Sequence, residues 1–193
     1  MNGHDALEFT IRRKVFSLFG AQFHIYNADT ELIGYCKQKA FKLKEDIRVY
    51  TDETCNTEML RIAARSVIDF SAAYDVIQSS TNTKLGVMRR AGMKSILRDE
   101  WSVLNPEEME VGKIKEDSTG MALVRRFVPG GKLFPQKFSY TDAQSQQHAE
   151  AFTHFNPFIH RMTIRSYPTN PLDPMMMVAA GVLLMAIEGR QKG

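Results

Sequence analysis

Two cysteines in 193 residues are too few for a disulfide framework in a domain of this size. Neither belongs to a Cys-x-x-Cys or paired Cys/His spacing that would suggest zinc, so Cys36 and Cys55 are expected as reduced thiols. Motifs of familiar chemistries are missing as well: there is no Gly-x-Ser-x-Gly elbow, no P-loop and no Rossmann glycine pattern. His148, His154 and His160 recur every six residues. On one strand they would lie roughly 20 Å apart, and on a helix they would diverge by about 120°, so no metal site is expected. No catalytic residue and no cofactor emerge, and the chain reads as non-enzymatic. Charge of one sign is scarce too. The net charge is +3, with acids interleaved among the bases, which argues against the single-sign stripe of a nucleic-acid-binding domain. The first residues, Met1-Asn2-Gly3-His4-Asp5, lack the basic start and apolar run of a signal peptide, so a cytoplasmic protein is expected.

Long hydrophobic runs are also short here. Asp173-Pro174 is followed by thirteen uncharged, mostly apolar residues, Met175 to Ile187, against the roughly 20 that a membrane span needs. Asp173 suits a helix N-cap and Pro174 the first helical position, while Arg190 and Lys192 favour the negative end of the helix dipole. The segment predicts a wholly buried helix over about 174–188.

What the chain has in quantity is strand signal. Leu60, Ile62, Ala64, Ile68 and Phe70 share one parity while Arg61, Arg65 and Asp69 share the other. Phe158, Met162 and Ile164 repeat the pattern against Arg161, Thr163 and Arg165, although Ile159 and His160 break it. Turn signals recur at Asn27-Ala28-Asp29, Asp52 to Thr57, Ser79 to Thr83, Asn105-Pro106 and Pro129-Gly130-Gly131. About a dozen strands are expected. The polar segment 141–148 is expected to be a mobile loop.

Three segments repeat one another: Phe23 to Lys37, Tyr74 to Arg89 and Trp101 to Lys115. Each runs from an aromatic through a polar turn to an aliphatic-Gly pair and then a base. The pattern predicts hairpins in series. Two residues after each Gly stand Cys36, Met88 and Ile114, so the Gly face is expected inside, where a helix backbone comes close to the sheet. The bases Lys37, Arg89 and Lys115 then point outward. Acids such as Glu45-Asp46 and Asp99-Glu100 follow the bases closely. The fold expected is mainly β, a single domain over 1–193.

The run Phe41 to Ile47, the Gly-x-x-[KR] hairpins, Arg98-Asp99-Glu100-Trp101, Phe155-Asn156-Pro157-Phe158 and the last helix with Glu188-Gly189-Arg190-Gln191 resemble the tubby-like superfamily. Its members include the tubby C-terminal domain, the phospholipid scramblases and the plant LURP-one-related proteins, and the resemblance is strongest to the small single-domain branch. It implies a closed antiparallel barrel of about twelve strands around a buried C-terminal hydrophobic helix. Closure also removes sheet edges that invite aggregation. The resemblance further implies a binding module for anionic phospholipid or phosphoinositide head groups. By chemistry alone, the candidate ligands to phosphate are Lys37, Lys39, Lys42, Arg89, Arg90, Lys94 and Lys115 on the outer barrel face. The expected partner is an anionic membrane surface, met peripherally. An alternative is a LURP-one-related interaction scaffold, with protein partners meeting the same wall or the 129–148 loop. A scramblase-like membrane protein is a further alternative, from which the chain departs: it has no Asp-x-[DN]-x-[DN]-Gly calcium loop and no cysteine cluster.

Overall fold

Twelve strands close into one antiparallel barrel in the computed structural model, which describes residues 6–14, 21–38, 46–65, 72–91, 100–117, 135–154 and 159–191. The strands are β1 (Leu7–Lys14), β2 (Ala21–Asn27), β3 (Leu32–Gln38), β4 (Ile47–Tyr50), β5 (Glu58–Ala64), β6 (Ala73–Gln78), β7 (Thr83–Arg90), β8 (Glu100–Leu104), β9 (Glu110–Glu116), β10 (Lys137–Asp142), β11 (Gln147–His154) and β12 (Ile159–Ser166). Neighbours in sequence are neighbours in space, and β1 pairs with β12 to close the ring. The chain then turns through 167–173 into one helix, α1 (Pro174–Gln191), whose residues Met176 to Ala186 are all buried. The barrel and the internal helix agree with the sequence reading.

The helix is inside because it has nothing to show water. No polar residue interrupts 175–187, so every face is apolar, and a helix apolar all round is stable only when surrounded. The inward parity of the strands supplies that surround: Phe9, Ile11, Phe23, Ile25, Val49, Leu60, Ile62, Trp101, Phe138, Met162 and Ile164 are all essentially inaccessible. Asp173 acts as the N-cap, its Oδ1 accepting from the Met175 amide at 2.7 Å. The helix therefore enters where β12 ends, at what we call the entry end, and runs toward the opposite, far end.

Entry-end turns are tight and built alike. In three of them an Asn or Asp accepts from an amide four residues on, and the residue before that amide is left-handed: Asn27 with Glu31 (2.8 Å) and Thr30, Asn105 with Met109 (2.8 Å) and Glu108, Asp142 with Gln146 (2.9 Å) and Ser145. The side-chain oxygen substitutes for a backbone acceptor and fixes the turn. Asp142 shows why segment 141–148 is not the loop expected. Thr141 and Asp142 belong to β10, the turn occupies only 143–146, and Asp142 further binds the Gln144 amide and His148. The proposed 129–148 loop likewise contains all of β10 and the start of β11. The Pro129-Gly130-Gly131 turn lies outside the described residues, as do Ile68, Asp69 and Phe70.

The aliphatic-Gly pair of the repeat is a β-bulge. Ile25 faces Gly34 and Tyr26 faces Leu32, which leaves Ile33 extra; Leu85 before Gly86 and Val111 before Gly112 are extra in the same way. Gly34, Gly86 and Gly112 are buried, as expected; the anticipated closeness of the helix is met at Gly86, where a Cβ would stand 2.8 Å from Met176 Cε, and not at Gly34 or Gly112. A Cβ on Gly86 would strike the Leu104 carbonyl oxygen, and one on Gly112 would strike that of Thr141, both on the neighbouring strand. The helix also comes close to the wall at its own Gly181, where a Cβ would stand 2.7 Å from Ile11 Cδ1 and 2.9 Å from Ile164 Cδ1. Along β12 the alternation is unbroken in space: His160 is buried on the Met162 face, and Ile159 is turned outward.

Candidate functional site

The two ends differ in charge, although Asp46, Glu100, Glu116 and Asp117 share the far end with its bases and Glu100 lies opposite Lys115. Turns at the entry end carry Asp29, Glu31, Asp52, Glu53, Glu107, Glu108 and Asp173 and no base. Near the far end, Lys37, Arg89 and Lys115 sit on outward positions of β3, β7 and β9, opposite in parity to buried Cys36, Met88 and Ile114, as the repeat predicted. Lys37 and Arg89 are exposed, Lys115 is half-buried, and none of the three makes an ion pair among the described residues. β3 and β7 are four strands apart, about 19 Å around the wall at about 4.8 Å per strand, so these bases form a spread rather than one pocket. Arg90 belongs elsewhere. As the neighbour of Arg89 it must take the other face, opposite Trp101, where it is half-buried at the barrel mouth instead of on the outer wall. Lys39, Lys42 and Lys94 lie outside the described residues.

Other bases on the wall are neutralised. Arg65 grips Asp75 through Nε (2.9 Å) and Nη2 (2.6 Å) and Glu108 through both terminal nitrogens (3.0 and 2.7 Å). Lys84 adds contacts of 3.3 Å and 3.0 Å to the same two carboxylates. The hydrogen bonds from Arg65 hold the Glu108 carboxyl down at about 2 and also depress that of Asp75. This clamp spans from β6 to the β8–β9 turn across β7, where Val87 is fully buried outside the central core. On the opposite wall, Arg165 donates to Glu8 (2.8 Å) and Glu150 (3.1 Å), and Lys137 meets Glu150 at 3.0 Å.

Two outward positions along the same strands the compensation stops. Register runs His154, Arg161, Arg12, His24 and Tyr35 across β11, β12, β1, β2 and β3. Arg12 and Arg161 stand directly opposite each other, and neither has an ion pair among the described residues. The Arg12 guanidinium lies 4.6 Å over the Tyr26 ring, and its Nε is buried without a hydrogen-bond partner. Thr163 Oγ1 meets His154 Nε2 and Thr10 Oγ1, each at 2.9 Å. His154 is pushed below the ordinary imidazole range, first by burial and then by Arg161. Glu53 reaches the row only at its far side, 3.0 Å from His24 Nε2. Sequence reading placed Arg161 outward but missed Arg12; the alternation Phe9-Thr10-Ile11-Arg12 carried the signal for its face, and nothing local carried its pairing.

Candidates for chemistry or metal do not assemble. Cys36 is wholly buried and its thiol is raised to about 12 by desolvation, which suits a packing residue and not a nucleophile. His148 lies between Asp142 (2.8 Å) and Thr169 (3.3 Å), an acid–imidazole–hydroxyl chain. Its role is visible in what it joins: it ties the β10–β11 turn to the 167–173 connection. His148, His154 and His160 take three different settings, a bulge, the outer wall and the inner face. Among the described residues no three His, Cys, Asp or Glu side chains group for a metal, and no helix is long and apolar enough to cross a membrane.

A closed twelve-strand barrel plugged by its own C-terminal helix, with bases displayed on its outer wall, defines a tubby-like binding module. The family model described as LURP-one-related matches residues 33–185, most of the chain, and the protein belongs to that family. Neither curated proteins nor solved structures gave a match.

Proposed function

We propose that this protein is a non-enzymatic module that docks peripherally on anionic phospholipid surfaces, phosphoinositide-containing membranes among them, with its far end toward the head groups. The observation that carries this reading is the uneven placement of bases: Lys37, Arg89, Lys115, Arg12 and Arg161, without an ion pair among the described residues, stand toward the far end, while the entry-end turns carry acids and no base. A module polarised in this way is oriented by a negative surface before it touches it. Each base near such a surface contributes about 1 kcal/mol, so a handful gives reversible attachment that salt weakens. The outward bases Lys37, Arg89 and Lys115 supply multivalent contacts, with Lys39, Lys42 and Lys94 as further candidates by sequence and Arg90 at the mouth.

The test is sedimentation with liposomes that are neutral, phosphatidylserine-containing or phosphoinositide-containing, at two salt concentrations. Wild type is compared with Lys37→Glu/Arg89→Glu/Lys115→Glu, after circular dichroism has established that the variant folds. Binding to anionic liposomes alone, reduced by salt and lost in the variant, is expected. Absence of binding to every liposome would sink the reading and leave a protein-interaction scaffold.

A further inference from the structure

Within the bases of the outer wall, Arg12 and Arg161 are the pair whose arrangement calls for a ligand, and we propose that they form a discrete site for a phosphate monoester. The assignment rests on the head-group reading above and narrows it to one place and one kind of phosphate.

Like charges directly opposite across antiparallel strands destabilise the sheet, at a Cα separation of about 5 Å. Elsewhere the barrel relieves such a pair. Arg48 and Arg61 also face each other, across β4 and β5, but Glu58 lies 2.8 Å from Arg48 and Asn82 accepts from Arg61 at 3.1 Å. Arg165, four residues from Arg161, holds two carboxylates. Between Arg12 and Arg161 no such group stands among the described residues. The residues around them are fixed by other contacts: Tyr26 stacks under Arg12, and Thr163 joins His154 to Thr10. The site is therefore two arginines that face each other in register, Arg12 seated on Tyr26, with no carboxylate between them among the described residues.

A phosphate monoester suits that pair. It carries about −1.5 to −2 charge at pH 7 and three acceptor oxygens, enough for both guanidiniums at once, whereas a phosphodiester brings a single charge. Guanidinium forks match phosphate oxygens in pairs, which ammonium groups do not. Lys37, Arg89 and Lys115, two or more strands apart, cannot close on one phosphate in this way. They answer to total surface charge, and the arginine pair answers to the monoester.

The experiment measures binding of soluble inositol 1,4,5-trisphosphate by calorimetry and of phosphatidylserine or phosphoinositide vesicles by sedimentation, for wild type, Arg161→Gln, Arg12→Gln and the control Arg165→Gln. Loss of one charge-assisted contact predicts a fall of about ten- to hundredfold in affinity for the soluble monoester in either site variant, with Arg165→Gln unchanged. Phosphatidylserine binding stays within a few fold. Arg161→Lys, which keeps the charge and loses the fork, falls between, and it replaces Arg161→Gln if that variant fails to fold. Arg161-dependent binding of the soluble monoester without vesicle binding upholds the site and removes the membrane from the reading. Monoester binding unaffected by both arginines, or no monoester binding by a protein that still sediments with vesicles, overturns the site and leaves the membrane reading standing. Arg161-dependent capture of a phosphorylated peptide in preference to inositol phosphates upholds a monoester site and overturns its assignment to a lipid head group.

Discussion

Arg65 and Arg161 stand on outer walls of the same barrel, and the protein treats them oppositely. Arg65 sits between two carboxylates that fold back on it from β6 and the β8–β9 turn, over a wall that buries Val87. Arg161 faces a second arginine and a histidine and meets no carboxylate among the described residues. A clamp is what a stability role looks like; a facing pair of arginines with no carboxylate among the described residues, Arg12 stacked on Tyr26, is what a barrel keeps when the compensating charge is to come from outside. The difference teaches that basic composition says little until each base is asked what it touches.

The largest way to disturb the comparison is from beneath. The wall that carries the arginine pair, β1 and β12, is met closely by the helix backbone at Gly181. Gly181→Val would drive two methyls into Ile11 and Ile164, and overpacking of this kind costs about 1–3 kcal/mol. Denaturant unfolding should show that loss, and inositol phosphate binding should weaken with it, because β1 and β12 carry Arg12 and Arg161. A fully stable Gly181→Val variant would mean that the helix has room to shift.

Next in size is the clamp. Arg65→Ala leaves Asp75 and Glu108 facing each other with only Lys84 between, and should cost about 1–2 kcal/mol, since bidentate networks exceed isolated surface pairs but remain partly screened. Vesicle binding should not change. The pH dependence follows from the same carboxylates. Both have folded-state values below their ordinary 3.8 and 4.5, with Glu108 at about 2, so their contribution is complete above about pH 4.5 and is lost as pH falls toward 2. The gap between wild type and Arg65→Ala should therefore be constant at neutral pH and close below pH 4.5. His154 acts in a different window: its depressed value means that the fold resists protonation there, so its contribution is present above 6.5 and declines as pH drops below it.

Much of one side of this comparison was legible in the sequence, and little of the other. The buried helix could be read because thirteen apolar residues follow a local N-cap signal, and the outward setting of Lys37, Arg89 and Lys115 followed from parity within a hairpin. Both are local rules. The arginine pair depends on closure: Thr10 and Thr163, which neighbour it, are 153 residues apart, and only the ring brings β1 to β12. The Arg65 clamp spans 43 residues to Glu108 and needs a left-handed turn residue to present its carboxylate. Segment 141–148 misled for a related reason. Its polarity is what a loop and a side-chain-fastened turn have in common, and only the bonds made by Asp142 tell them apart.

The smallest effect is the sharpest test of the contrast. If Arg161 is uncompensated in the free protein, neutralising it should not destabilise the fold. Arg161→Gln relieves the repulsion against Arg12 and should raise stability by about 0.5 kcal/mol, opposite in sign to Arg65→Ala. The same substitution removes one of the two causes that depress His154, leaving burial alone, so the imidazole should titrate closer to 6.5. Proton NMR of the His154 ring reads this directly. Addition of inositol phosphate to wild type should move the ring in the same direction, since an anion between the arginines cancels what the substitution deletes. A lower stability for Arg161→Gln with an unmoved His154 would show that Arg161 already has a neutralising partner, and the two walls would then differ only in where their acids stand.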